Sequence, residues 1–270
     1  MKKTTYIIIA LFFSLLWNGC TDKFEEMNTS PTMLLETQPD YFLTKSLKDA
    51  TWDAFSWQRV QMLFGNHYAQ FYANCSKDFQ TDGYESNDVW ATDYWNLCYS
   101  NWIANIEECM KLAREEGDLA KNKVAIARIW RVFIYQRMTD FWGDIPYSEA
   151  CMKEPAAYDT QEFVYKDMLT ELDEAVSDLD PDNNALLEYG EADILYQGDV
   201  EKWQKFGNSL RLRLALRISE VEPALAQQHI SDVINSEAGV ISQAGETARM
   251  IQGVESVYSY RQKNPIGVIC

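Results

Sequence analysis

Apolar side chains recur three and four positions apart along most of this chain, and this spacing constrains the fold more than any other feature. One stripe consists of Trp95, Tyr99, Trp102, Ile106 and Met110. Residues at this spacing share one face of an α-helix, which turns once every ~3.6 residues. The hydrophobic fraction of 47% is ample for a buried core. We therefore expect a mostly all-α protein.

Turn and capping residues divide this pattern into separate helices. Gly117 stands where a left-handed cap would end one helix. Asp199 is placed to cap the start of a second helix, and Pro223 to be the first residue of a third. Asp159 and Glu162 have the spacing of a capping box. The predicted helices cover residues 41–73 (as two helices), about 89–116, 119–142, 159–179, 199–217 and 223–239.

Antiparallel helix pairs with repeated aromatic and alanine positions indicate a helical-hairpin array of the tetratricopeptide kind, although no strict period of about 34 residues is visible. In the helix that ends near residue 179, the residues expected inward are Phe163, Met168, Leu172, Ala175 and Val176. Residues 180–198 are expected to form a loop, and the stretch from 245 onward a loop or short strand. No capping helix follows, which predicts an incomplete array.

Residues 1–19 have the pattern of a secretory signal. Two lysines precede an apolar run over residues 6–17 that is too short to span a bilayer, and a glycine stands directly before Cys20. A cysteine at this position indicates a bacterial lipoprotein signal with Cys20 as the lipidated N-terminus. The alternative is an ordinary signal peptide with a chance cysteine. Residues 20–39 are then a tether, and residues 40–270 form the helical domain.

The formal net charge of −17 argues against several partners, because such a surface repels nucleic-acid phosphates and anionic lipids. We expect no nucleic acid and no electrostatic membrane binding. Of the six cysteines, Cys20 is assigned to lipid, and the other five are irregularly spaced and odd in number. Buried free thiols are therefore expected in place of a disulfide framework. No metal-ligand motif is visible, so no metal site and no cofactor are expected.

No catalytic residue is predicted either. Asp144 lies in a segment, 143–146, that is interpreted as a helix stop followed by an extended residue. His67 and His229 lie in helical segments without a cysteine or serine partner arrangement, so both are interpreted as satisfied structural residues. In the helical block 203–213, the side chains expected to make structural hydrogen bonds or ion pairs are Asn208, Arg211 and Arg213.

The polar segment 74–90 is the best candidate for a ligand site. Sugar faces stack on aromatic rings and sugar hydroxyls bond to carboxylates and amides, and loops on rigid scaffolds commonly carry function. The predicted ligand-binding residues are Phe79, Asp82, Tyr84, Asn87 and Trp90. The alternative is a surface loop whose rings pack back onto the helices, and Trp90 in particular stands where the next helix begins.

Two blocks carry a resemblance to a known family. Residues 141–147 read Phe-Trp-Gly-Asp-Ile-Pro-Tyr, and residues 203–213 read Trp-x-x-Phe-x-Asn-Ser-Leu-x-x-Arg. With Cys20 and the acidic stretch 22–26, these blocks resemble the SusD/RagB family of Bacteroidetes outer-membrane lipoproteins. The order and spacing of the segments match from residue 20 to about residue 265.

The resemblance implies a surface-exposed, mostly helical protein with tetratricopeptide-like hairpins. It implies a partner, a SusC-type TonB-dependent outer-membrane barrel, and an oligosaccharide or less often a peptide as ligand. The acidic stretch resembles the tag that exports such lipoproteins to the cell surface. Family members are usually about twice as long, so the resemblance predicts that this chain holds the N-terminal half only.

We therefore expect a cell-surface glycan-binding lipoprotein, lipid-anchored in the outer membrane and facing the exterior, that is not an enzyme. Two other classes stay open. A secreted glycoside hydrolase would need two placed acids, and the 41 acidic residues supply such pairs by chance. A helical scaffold would bind another protein and no small ligand.

Overall fold

The computed structural model describes residues 37–51, 57–74, 80–152, 154–183 and 189–250. Several predictions lie outside these ranges: the signal over residues 1–19, the lipidated Cys20 and most of the tether. Phe79 and Cys75 also lie outside them. Within the described ranges no helix is long and apolar enough to cross a membrane.

The described residues are mostly helical. They also contain an isolated antiparallel β-bridge between Ile145 and Asp159. The α-helices are α1 (Pro39–Thr51), α2 (Asn66–Tyr68), α3 (Asp88–Leu97), α4 (Ala104–Glu115), α5 (Lys121–Trp142), α6 (Gln161–Asp178), α7 (Val200–Arg217) and α8 (Pro223–Asn235). A π-helical segment, Trp57–Gly65, leads into α2. A second one, Cys98–Ile103, joins α3 to α4, so that the predicted single helix over 89–116 forms one helical run.

Each long helix packs mainly on its neighbours in a row. α1 contacts α4, α4 contacts α5, and the row continues through α6 and α7 to α8. Short connections make α4 and α5 an antiparallel pair, and likewise α7 and α8. This arrangement confirms the predicted all-α, tetratricopeptide-like array of helical hairpins.

Aromatic side chains fill the centre of the row. Trp102, Trp130 and Trp203 are fully buried, one each from the run that joins α3 to α4, from α5 and from α7. In the predicted stripe, Ile106 and Met110 are likewise buried. Burying a side chain of this size contributes about 1.5–3 kcal/mol, so the periodic apolar positions supply the main force that assembles the array.

The helix ends confirm most of the predicted signals. Gly117 and Gly143 have φ values of 84° and 78°, which residues with a Cβ rarely adopt. The Asp199 carboxylate accepts a hydrogen bond from the Lys202 N–H at 3.1 Å and caps α7. Pro223 is the first residue of α8.

The predicted capping box at Asp159 is wrong by one residue. Thr160 is the cap of α6, and its hydroxyl accepts from the Phe163 N–H at 3.2 Å. The Asp159 carboxylate instead accepts from the N–H groups of Tyr147 and Ser148, at 3.2 and 2.7 Å. It therefore holds the turn after α5 in place, a contact between distant residues that local spacing does not reveal.

Two further expectations need correction. Phe163 was expected inward, but it lies in the first turn of α6 and is 46% exposed. Cys151 was expected to be a buried thiol, but it is exposed. Cys98 and Cys109 are buried as expected, and burial raises the pKa of each thiol to about 12. Both therefore remain neutral, unreactive thiols at physiological pH.

Within the block 203–213, Asn208 and Arg211 have the structural role that the sequence predicts. The Asn208 amide donates to the Ser236 hydroxyl and the Gly239 carbonyl. Arg211, which is 4% exposed, bonds to Asp173, His229 and Asp232. These bonds join α7 to α6, α8 and the residues after α8.

Gly207 permits the close approach of α7 to α5 and α6. A Cβ at this position would lie 2.5 Å from Val176 Cγ2 and 3.1 Å from Ile129 Cδ1. We expect Gly207→Ala to lower the free energy of unfolding by about 1–2 kcal/mol, because crowding of about 1–3 kcal/mol exceeds a helix-propensity gain of up to about 1 kcal/mol. Urea unfolding of the full chain in detergent measures the change.

Gly245→Ala is the matched control, because no atom lies within 4 Å of its added Cβ. Its effect should stay within about 0.5 kcal/mol. Equal stabilities of the two variants would contradict the packing role of Gly207.

The His229 side chain makes the α7–α8 contact sensitive to pH. Its Nδ1 accepts from Arg211 Nε at 2.8 Å, which requires an unprotonated nitrogen. Burial first, and then the Arg211 charge, lower the pKa of His229. The unfolded chain binds this proton more readily, so stability should fall as pH drops below about 6.5, the ordinary histidine pKa, towards the lower folded-state value.

His229→Asn keeps an acceptor that is never protonated. We expect it to reduce the loss of unfolding free energy between about pH 7.5 and pH 5.5, a window that spans the ordinary histidine pKa and includes the range below it in which the loss develops. Parallel pH profiles for this variant and the unaltered chain would show that His229 does not couple stability to pH.

Candidate functional site

Residues before the predicted ligand segment meet its last residue, Trp90, in a cluster of aromatic rings. Phe64, from the π-helical segment before α2, lies at its centre. Its ring makes edge contacts with Tyr68 at 5.6 Å, Trp90 at 6.2 Å and Phe141 at 5.7 Å between centroids. Because Phe141 belongs to α5, this cluster attaches the loop region to the core of the array.

Asp82 holds the loop together from within. Its carboxylate accepts from the Asn74 N–H at 2.9 Å, and its backbone carbonyl accepts from the Gln70 side chain at 3.0 Å. It lies in a short 3₁₀ turn, Thr81–Gly83. Thr81 is buried and its hydroxyl lies 2.6 Å from His67 Nδ1, so His67 is a satisfied structural residue as expected.

Tyr84 is the predicted ligand residue that the fold presents most openly. Its side chain is 63% exposed, and its backbone has φ of 63°, unusual for a residue other than glycine. Its ring lies 5.6 Å from the ring of Tyr68, whose hydroxyl donates to the Glu85 carbonyl at 3.2 Å. We call these two rings the tyrosine pair. It offers a supported aromatic surface to solvent.

Asn87 and Trp90 have structural contacts. The Asn87 side chain accepts from the Trp90 N–H at 3.1 Å and caps α3. Trp90 is half-buried in the first turn of that helix and packs on Phe64. The structure therefore brings Asp82, Tyr84, Asn87 and Trp90 into one region, with Tyr84 as the exposed ring.

Three further exposed aromatic residues escaped the sequence reasoning. Tyr68, Phe71 and Tyr72 are 38%, 75% and 57% exposed, and they lie just before the loop. The sequence pattern placed all three in a helix. Tyr68 is the last residue of α2, but Phe71 and Tyr72 follow the end of the helix, and Gln70, which lies between Tyr68 and Phe71, has φ of 58°. Three aromatic residues within five positions directly before a polar loop were the signal that could have identified them.

Among the described residues, the surroundings of three carboxyl groups shift their pKa values clearly. A glycosidase acid needs a raised pKa, whereas the carboxyl shifts resolved here are all downward. Burial alone would raise the pKa of Glu171, but hydrogen bonds from Arg128 and the charge of Arg131 lower it overall. The Lys205 ammonium and two backbone N–H groups lower the pKa of Glu246 to about 2. Glu162, paired with Lys166, is also lowered.

Asp144 has the structural role predicted for it. Its carboxylate accepts from the Gln161 N–H at 2.9 Å, which ties the turn after α5 to the start of α6. Among the residues that the structure describes, no group of three histidine, cysteine, aspartate or glutamate side chains could hold a metal ion.

The chain is an all-α array of helical hairpins with exposed aromatic rings next to one loop. The SusD-like family model, described as "Starch-binding associating with outer membrane", matches residues 31–265. The match covers most of the chain, and the chain therefore belongs to the SusD-like family. A search of curated proteins found no match.

Solved structures agree with this assignment. One described as a chitin-binding protein is 30% identical, with a TM-score of 0.70 over 79% of this chain and 46% of its own. A chitin-binding SusD homologue from Flavobacterium johnsoniae is 26% identical, with a TM-score of 0.69 over 80% and 46%. A SusD homologue from Parabacteroides distasonis is also 26% identical, with a TM-score of 0.70 over 81% and 43%. The chain spans less than half the length of these structures.

The capping contact of Asn87 leads to a stability prediction. We expect Asn87→Ala to lower the free energy of unfolding by about 0.5–2 kcal/mol, because the Trp90 N–H loses its acceptor. Asn87→Asp, which keeps a capping oxygen, should stay close to the unaltered chain. Urea unfolding in detergent compares the two, and an alanine variant of unchanged stability would argue against the cap.

Proposed function

We propose that this protein captures a neutral oligosaccharide at the cell surface and delivers it to a SusC-type TonB-dependent outer-membrane barrel. The observation that carries the proposal is the tyrosine pair. An open ring, 63% exposed, stands on the loop whose composition predicts sugar binding, within a chain of the SusD-like family.

The geometry of the pair suits a pyranose ring. One face of a sugar carries C–H groups that pack on an aromatic ring, and its hydroxyls need polar partners nearby. Tyr84 supplies the ring and a phenolic hydroxyl, and Tyr68 lies against it at 5.6 Å and limits its movement. A ring held in place loses less conformational freedom on binding.

The class of glycan follows from charge and from the relatives. A net charge of −17 disfavours uronic acids and sulfated sugars, because like charges repel. Two solved relatives are described as chitin-binding, and the family description names starch. Neutral glucans and polymers of N-acetylglucosamine are therefore the ligands to test.

The location and partner in this proposal rest on the family and on the N-terminal pattern. Lipid on Cys20 would anchor the chain in the outer membrane, facing the exterior, and residues 20–39 would form the tether. The transporter would take up the glycan that this protein holds. Binding is preferred over hydrolysis, because the family model is described as starch-binding and two solved relatives as chitin-binding.

The test is the affinity of the full chain in detergent for hexaoses of N-acetylglucosamine and of α-linked glucose, measured by calorimetry. We expect Tyr84→Ala to weaken binding about three- to tenfold, because the stacking ring is lost. Tyr84→Phe, which keeps the ring and the same Cβ, should retain most of the affinity. No new reducing ends should form during the measurement.

Three results would contradict the proposal. Failure of the unaltered chain to bind any neutral hexaose would contradict the proposed glycan binding. Equal affinities of Tyr84→Ala and the unaltered chain would contradict the assignment of the binding site to the tyrosine pair. Formation of reducing ends would identify a hydrolase.

A further inference from the structure

A second aromatic surface lies beyond the tyrosine pair, at a cleft between α3 and the α5–α6 connection. We call it the Trp95 cleft. It has a volume of about 630 Å³, and its lining includes Trp95, Asn96, Tyr99, Cys151, Met152 and Glu154. The ring of Tyr158 lies beside it, nearly parallel to Trp95, with 5.9 Å between centroids and an interplanar angle of 17°.

The cleft is separate from the tyrosine pair. Trp90, which adjoins that pair through Phe64, and Trp95 are five residues apart on α3. Five residues correspond to a rotation of about 140° around a helix. The two tryptophans accordingly pack on different neighbours, Trp90 on Phe64 and Trp95 on Tyr99 and Trp142.

The position of Trp95 is set by its surroundings. Its ring contacts Tyr99 at 4.9 Å and makes a perpendicular contact with Trp142 at 5.0 Å. The Tyr99 hydroxyl in turn donates to the Pro146 carbonyl at 2.7 Å. Trp95 therefore belongs to the packed scaffold, whereas Tyr158 is 64% exposed and Met152 is 77% exposed.

The chemistry of the cleft combines flat apolar rings with exposed polar groups. Trp95 and Tyr158 supply the rings and Met152 an adaptable apolar edge. Asn96, an amide, and Glu154, a carboxylate, are exposed at the same cleft. Rings and apolar edge match the C–H face of a sugar, and the amide and carboxylate match its hydroxyls. The carboxylate and the overall negative charge disfavour an anionic ligand.

We propose that the Trp95 cleft is a second binding site for a neutral sugar unit, distinct from the tyrosine pair. This inference rests on the proposed glycan-binding function and extends it. A chain with two separated contact surfaces holds one long glycan that reaches both more firmly than a single surface does, because the second contact forms at high effective concentration.

The experiment measures binding of the same two hexaoses to Tyr158→Ala and Tyr158→Phe, by calorimetry on the full chain in detergent. We expect Tyr158→Ala to lose about three- to tenfold in affinity, or to lose one of two sites, because its ring no longer stacks. Tyr158→Phe should retain both. Tyr41→Ala, which removes another exposed tyrosine far from the cleft in the sequence, is the control and should bind normally.

Met152→Glu is a second variant that does not depend on the ring. Met152 is 77% exposed, so the fold should tolerate glutamate there, but the added carboxylate beside Glu154 should weaken sugar contact. A helical circular dichroism spectrum equal to that of the unaltered chain confirms folding of each variant.

The outcomes separate this inference from the proposed function. Normal binding by both Tyr158→Ala and Met152→Glu, with a loss in Tyr84→Ala, would overturn the second site and leave glycan capture in place. Losses in the Tyr158→Ala and Met152→Glu variants, with normal binding by Tyr158→Phe and Tyr41→Ala, support it. No binding by the unaltered chain would overturn both proposals.

Discussion

The structure depends on the burial of one indole ring, that of Trp130 in the middle of α5. Its ring stacks on Phe133 at 4.7 Å and contacts Trp203 and Phe206 of α7, each at 6.5 Å. Its N–H donates to the Ser46 hydroxyl of α1 at 3.2 Å. One side chain of α5 thus contacts both α1 and α7, which are not its immediate neighbours in the row. A fully buried tryptophan is stable where its ring has apolar contacts and its N–H has a hydrogen-bond acceptor, and Trp130 has both.

Buried charge completes the assembly where apolar packing ends. The Asp193 carboxylate is fully buried and accepts from three backbone N–H groups and from the Trp203 indole at 2.6 Å. Between α5 and α6, Arg128 and Arg131 both bond to Glu171. A buried charge is costly unless its partners are complete, so these contacts restrict how the helices and the loop before α7 can pack.

The same aromatic packing reaches from the core to the surface. Phe141 joins Phe64 to Tyr94, and Tyr94 stacks on Trp142, which contacts Trp95. The tyrosine pair and the Trp95 cleft lie at two ends of this connected set of rings. Rings that contact the core have limited freedom and lose little more of it on binding. The array can therefore be understood as a rigid support for exposed rings.

Local patterns were sufficient for the helices, because periodicity, glycines at helix ends and the Asp199 cap act over a few residues. Local composition also selected the loop that carries Tyr84 as the candidate ligand site, and the ligand role of that loop stays a prediction. The tertiary structure alone decided which rings face solvent, since this depends on residues distant in the chain. Asn87 and Tyr84 look equally suited to a ligand in the sequence, yet one caps α3 and the other is exposed. Tyr158 lies beside Trp95 only because α5 and α6 bring the two together.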